Sequence, residues 1–231
     1  MVRVKAVVAP TYAYVKSRAG EADPPVSVAL GKAVEVATSK YNYYYRRARR
    51  PPLGYAQRCA VAVLKAELEK MGYRASREEV EEAARRIWRM LAAWSKSPYT
   101  RYLKPKTHVV IFLKEGFAGA LYAQPDFKDE YTGHFYEVKS FDVEREPRRH
   151  VYYQAGVFSL LGPLSLVYFS EDGGYYVLRE KAVPRDTGII DDVVSFLEGR
   201  PEGSRVVDLE ALKKEHPWVA YRKVNGDWVR A

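Results

Sequence analysis

Apolar residues recur at helical spacing through the first hundred residues of this chain. Leu30, Val34, Ala37, Tyr41 and Tyr44 form one such stripe, three to four residues apart as on one face of a helix. Ser27 is suited to cap its start, and Pro51–Pro52 require it to stop before them. Val61, Leu64, Leu68 and Met71 make a second stripe, with Gly72 as its C-terminal stop. A third helix opens at Ser76, where Ser76 and Glu79 have capping-box spacing. Its stripe is Val80, Ala84, Ile87, Leu91 and Trp94, with acids early and Arg85, Arg86 and Arg89 later, as the helix dipole favours.

Beyond these helices the pattern shortens toward a period of two. Strands are predicted at about 107–113, 118–127 and 132–141, the last two joined by a polar, glycine-containing turn. A helix at about 147–161 and strands at about 164–170 and 174–180 follow. The tail suggests helices near 187–198 and 208–215, Gly/Pro punctuation at 199–203, and a strand pair around Asn225–Gly226. At the other end, Val2–Val8 reads as a strand with Tyr12–Lys16 as its candidate partner, and 17–27 as a linker. The expectation is a single α/β domain, a mixed β-sheet flanked by α-helices. Its core spans about 28–180, with a C-terminal appendage at about 185–231.

The hairpin at 118–141 carries the most suggestive chemistry. Residues two apart share a strand face, so Glu137 and Lys139 stand together with Phe135 and Phe141. A turn centred on residues 130–131 sets Asp126 opposite Phe135 and diagonal to Glu137. Two carboxylates and an ammonium then share a partly apolar patch, an arrangement suited to a cation. The alternative is a solvated strand-face pair contributing little.

Composition narrows the class. A net charge of +9 and a pI near 9.4 favour an anionic partner, nucleic acid before membrane, although a basic protein from a hot-living source would read similarly. The five amides, against 38 Lys and Arg and 29 Asp and Glu, suggest such a source. A lone cysteine, Cys59, excludes an internal disulfide or an iron–sulfur cluster, and the four histidines show no zinc spacing. Val151–Ser170 lacks charge for twenty positions, but Gly162–Pro163 interrupts it, which fits a buried helix turning into a central strand better than a membrane span. No signal-peptide core opens the chain; a soluble, cytoplasmic protein is expected.

Two basic runs are candidate nucleic-acid contacts. In the first, Tyr44 and Tyr45 adjoin Arg46, Arg47, Arg49 and Arg50; guanidinium forks bind phosphates and tyrosine rings stack on bases. In the second, Arg148 and Arg149 open the helix after Lys139, where cations oppose the dipole unless an anion joins them. Core packing and solvation are the competing roles for these residues.

Pro125–Asp126 and Glu137–Val138–Lys139, with a helix bearing Gly31-x-x-x-Glu35 before them and one bearing Gln154 after, resemble the PD-(D/E)XK, or restriction-endonuclease-like, nuclease superfamily. Gln154 is similar to the recombination-exonuclease (RecB-like) branch, whose motif is Gln-x-x-x-Tyr. Here Phe158 stands at the tyrosine position, with Tyr152 and Tyr153 nearby, and the branch's iron–sulfur cysteines are missing. The resemblance covers roughly 28–180. It implies a restriction-endonuclease-like mixed sheet and metal-dependent hydrolysis of DNA phosphodiesters. It further implies that Asp126, Glu137 and the Val138 carbonyl ligate Mg²⁺ or Mn²⁺, and that Glu35 holds a second ion or an outer water. Lys139 then orients the attacking water or stabilises charge, Gln154 positions Lys139 or a phosphate, and a homodimer is a common assembly. Two other classes stay open: a non-catalytic nucleic-acid-binding protein on the same fold, and a structural protein of an archaeal virus or mobile element.

Overall fold

The computed structural model describes residues 4–20, 23–48 and 53–231. The chain begins with β1 (Lys5–Pro10), α1 (Thr11–Ala19), α2 (Pro25–Ala48), α3 (Leu53–Lys70), α4 (Arg77–Ser95) and a 3₁₀ turn at Pro98–Arg101. Then come β2 (His108–Lys114), β3 (Phe117–Ala123), β4 (Phe127–Lys128), β5 (Phe135–Lys139), α5 (Arg149–Ser159), β6 (Leu164–Asp172) and β7 (Tyr175–Val183). A 3₁₀ turn at Thr187–Ile189, α6 (Ile190–Glu198), β8 (Arg205–Asp208), α7 (Leu209–Glu215), β9 (Trp218–Val224) and β10 (Asp227–Arg230) complete it.

The architecture is mixed α/β, but the strands form two sheets where one was expected. The first runs β10-β9-β2-β3-β1-β8, with β9–β2 and β3–β1 parallel and the other pairs antiparallel. The second runs β4-β5-β6-β7, parallel only at β5–β6. The predicted strand at 118–127 is divided between them: it ends at Ala123 and resumes at Phe127 in the other sheet. Pro125 lies between. It has no N–H for a ladder, and the chain changes sheets there. Tyr12–Lys16 is helical, within α1, because β1 already has β3 and β8 on its two edges. The C-terminal stretch supplies three strands, β8, β9 and β10, to the first sheet.

Alternation along β5 and β6 explains the layering. Phe135, Leu164, Leu166 and Tyr168 face a core shared with α5, α6 and the first sheet. Tyr136, Val167 and Phe169 face a second core with α2, α3 and α4. Burying both faces makes the strands nearly continuous apolar runs. The far face of the first sheet, including Val8, Val109 and Ile111, packs on Leu209 and Leu212 of α7.

The helix boundaries follow local chemistry. Ser76 and Glu79 form the reciprocal capping box of α4, and Gly72 after α3 adopts φ +68°, which a left-handed stop requires. The β9–β10 hairpin turns through Asn225 and Gly226, both with positive φ, as its residue types demand. Buried Asn42 locks α2 in place: its amide donates to the carbonyls of Tyr99 (2.8 Å) and Tyr102 (2.9 Å) and accepts from Trp94 Nε1 (2.8 Å). Among the described residues no helix is long and apolar enough to cross a membrane, and the uncharged stretch 151–170 is helix, turn and strand.

Candidate functional site

The β4–β5 hairpin sets the geometry. Phe127 pairs with Tyr136 and Lys128 with Phe135, so Asp126, just before β4, falls opposite Glu137. The expected partner was Phe135. The difference arises in the loop, where Asp129 N–H donates to His134 O (2.9 Å) and Gly133 N–H to Asp129 O (2.9 Å). The turn is therefore centred between Tyr131 and Thr132. A two-residue shift keeps every side chain on its expected face and brings the carboxylates closer than predicted.

The contacts confirm that closeness. Val138 N–H donates to Asp126 Oδ2 at 2.9 Å, and Asp126 N–H donates to Glu137 Oε2 at 3.2 Å. A residue's N–H and C=O leave an extended strand on the same side, so the Val138 carbonyl points to the edge that Asp126 occupies. Lys139 Nζ donates to Glu137 Oε1 (2.9 Å) and to Gln154 Oε1 of α5 (2.6 Å). Asp126, Glu137 and Lys139 are 7%, 5% and 9% exposed. This is a buried, hydrogen-bonded cluster and not a solvated surface pair.

Glu35 reaches the same cluster from α2. A Cβ added at Gly31 would lie 3.7 Å from Ser140 Oγ, so the turn of α2 before Glu35 runs beside the end of β5. Glu35 is gripped by Lys32 Nζ (2.6 Å) and by Lys104 Nζ on its other oxygen. Burial alone would raise its pKa, but these two ammoniums outweigh it and hold the carboxyl below its ordinary value. Asp126 moves the other way. Burial, then the neighbouring charges of Glu137 and Glu35, push it well above the ordinary aspartate value, against the weaker pull of Lys139 and the Val138 N–H.

A carboxyl raised by adjacent carboxylates is under-neutralised, and a hard cation is what would relieve it. Asp126, Glu137 and the Val138 carbonyl supply oxygen donors of the type Mg²⁺ and Mn²⁺ prefer. Among the described residues no three His, Cys, Asp or Glu side chains form a ready metal-binding group. The fit therefore rests on two carboxylates and a carbonyl, with Glu35 turned toward its lysines. An apolar cavity of about 440 Å³ between α5 and β7 is lined by none of these acids.

The structure leaves the basic candidates in unequal positions. Arg46 and Arg47 are exposed at the end of α2, Arg47 lying 4.2 Å over the Tyr43 ring. Tyr45 stacks on buried Tyr41, and Tyr44 packs edge-on to Tyr43 and Tyr55. Arg49 and Arg50 lie outside the described residues. Arg148 is tied to Asp23 (3.0 Å) and Glu146 (2.8 Å) and covers Phe141 at 3.8 Å, whereas Arg149 is exposed. Phe158 is buried in the core, Tyr153 packs on Tyr14, and Tyr152 reaches Asp186 (3.3 Å); among the described residues the side-chain hydrogen bonds of Lys139 go to Glu137 and Gln154 and to neither tyrosine. Lys104 carried no signal in the sequence, because it meets Glu35 across 69 positions of chain; Lys32 was overlooked although it stands three residues before Glu35, at helical pair spacing. No match to the chain was found among protein-family models, curated proteins or solved structures.

Proposed function

We propose that this protein is a metal-dependent nuclease that hydrolyses DNA phosphodiester bonds. One observation carries the reading. Asp126, Glu137, Lys139 and Gln154 meet in one buried, hydrogen-bonded patch, and Glu35, held by its two lysines, lies close enough for its charge to bear on the central, under-neutralised aspartate. A folded protein gains little stability from burying such a cluster for its own sake, and perturbed titrating groups gather at functional sites.

The residues divide the work as follows. Asp126, Glu137 and the Val138 carbonyl would hold Mg²⁺ or Mn²⁺, which supplies Lewis acidity toward a phosphate oxygen and a more acidic water. Lys139 has three N–H donors, and Glu137 and Gln154 take two of them. The third, without a partner among the described residues, would orient a nucleophilic water or meet charge developing on the phosphoryl group. Because two acceptors hold the ammonium, that donor would need little reorganisation during reaction. Lys32 and Lys104 neutralise Glu35 and add positive charge beside the patch, where a phosphate backbone would lie. The chain's surplus of nine positive charges suits such a polyanion.

The test is cleavage of labelled linear, circular and single-stranded DNA with Mg²⁺, Mn²⁺ or a chelator, using wild type and Lys139→Ala. Cutting should require metal and fall roughly 10²–10³-fold in the variant, while DNA affinity changes little. Cutting that survives the chelator, or an unimpaired variant, would overturn the assignment. DNA binding without cutting under any condition would point to a non-catalytic binding protein.

A further inference from the structure

Tyr131 stands at the tip of the β4–β5 hairpin and is fully exposed (100%). Its backbone is nevertheless fixed. Asp129 accepts from Tyr131 N–H (2.9 Å) and from Thr132 Oγ1 (2.8 Å), and the loop is closed by Gly133 N–H to Asp129 O and Asp129 N–H to His134 O. Four hydrogen bonds thus hold up an aromatic ring that no part of the described chain covers. Beside it lies a cavity of about 410 Å³, lined by Arg46, Arg101, Lys128 and Tyr102 as well as Tyr131. Two acids also line it, but both oxygens of Asp129 are taken by the turn. Glu130 meets Arg46 only at 3.9 Å, with both side chains well exposed. The Arg46 and Arg101 guanidinium groups are the cations this cavity offers to an anion; the Lys128 ammonium lies 5.0 Å from the Phe135 ring on the other face of the hairpin.

We infer that this hairpin tip and the adjoining end of α2 form a binding site for single-stranded nucleic acid. Tyr131 is the platform on which an unpaired base stacks, and Arg46 and Arg101 contact the flanking phosphates. The inference rests on the nuclease reading and names its substrate class. A free aromatic face accepts any base, but only one whose own face is uncovered, which duplex stacking denies. The site also lies on the path to the chemistry. Tyr131 and Asp126 are five residues apart on one hairpin, at most about 18 Å, so a strand resting on Tyr131 runs a few nucleotides from the carboxylates. An arginine beside an aromatic platform is the pairing that tracks a backbone while tolerating sequence.

Fluorescence anisotropy in chelator, with labelled oligothymidine and a labelled duplex of equal length, separates binding from cleavage. Wild type should bind the single strand. Tyr131→Ala should weaken that binding about 5–50-fold, with duplex affinity unchanged within roughly twofold, and Tyr131→Phe should bind as wild type because the ring is kept. A fully exposed side chain can be removed without loss of fold, which a melting curve on each variant checks. If Tyr131→Ala binds single strands normally, loses both substrates equally, or if wild type ignores single strands, the inference is overturned. The nuclease reading is judged separately: duplex cutting in Mg²⁺ that depends on Lys139 would leave it standing in any of those cases.

Discussion

Asp126 bears the energetic tension of the site. Its carboxyl titrates well above the ordinary range because of burial and two neighbouring carboxylates. A group whose folded pKa exceeds its unfolded value binds more protons when folded, so stability falls as pH rises through that interval. At neutral pH without metal, the upward shift of Asp126 is therefore a cost to folding, and Asp126→Asn, whose carbonyl can still accept from Val138 N–H, should melt at a higher temperature than wild type. The gap should shrink as pH falls through the raised value toward the ordinary aspartate range. Melting curves in chelator from pH 4 to 8 test this; a wild type more stable than the variant at neutral pH would refute it. The difference between the two proteins is the useful quantity, since Glu35, Asp142 and Asp192 are shifted downward and contribute the opposite slope. Much of the cluster was legible at this scale. Glu137 and Lys139 share a face by strand period alone, and Asp126 follows from its place across the hairpin; Gln154, on α5, was singled out by the family resemblance and not by spacing. Lys104 and Tyr131 were not legible, because a lysine in a loop or a tyrosine in a turn looks the same whether or not something distant faces it.

At the scale of elements, α2 is what places Glu35, and Asn42 is what places α2. Three hydrogen bonds join that one amide to Trp94, Tyr99 and Tyr102. Asn42→Ala would leave an indole N–H and two carbonyls short of a buried partner, at a cost of about 3 kcal/mol. Chemical denaturation should show a loss of that size, and a change below roughly 1 kcal/mol would mean the network is dispensable. No periodicity announces such a residue; Asn42 sits among tyrosines and arginines and reads as part of a polar helix end. The cap of α4 was clear from the sequence, because Ser76 and Glu79 act within one turn of chain, whereas Ser27, read as a cap, lies inside α2, which begins at Pro25. Registers were less clear. The hairpin slipped by two positions because the loop around Asp129 closes through backbone contacts that residue types do not specify.

Across the whole molecule, the strand pattern predicted a mixed sheet with helices, and the structure divides it into two sheets sharing a core. Alternation says which side of a strand is buried, not which strand lies next to it, so neither the sheet change at Pro125 nor the pairing of β9 with β2 could be read from local sequence. The division matters to the site. Because the chain leaves the first sheet before Asp126, that residue lies at the edge of the second sheet, where the Val138 backbone, Glu137 and the flank of α2 meet. The most direct test of the account is whether that edge binds a divalent ion. Calorimetric titration of Mn²⁺ into wild type, Asp126→Ala and Glu137→Ala, each verified as folded, reads this without reference to activity. Saturable binding to wild type, abolished in both variants and weakened as pH drops and protons compete for Asp126, is the predicted result; absent binding, or binding that survives both substitutions, would contradict it.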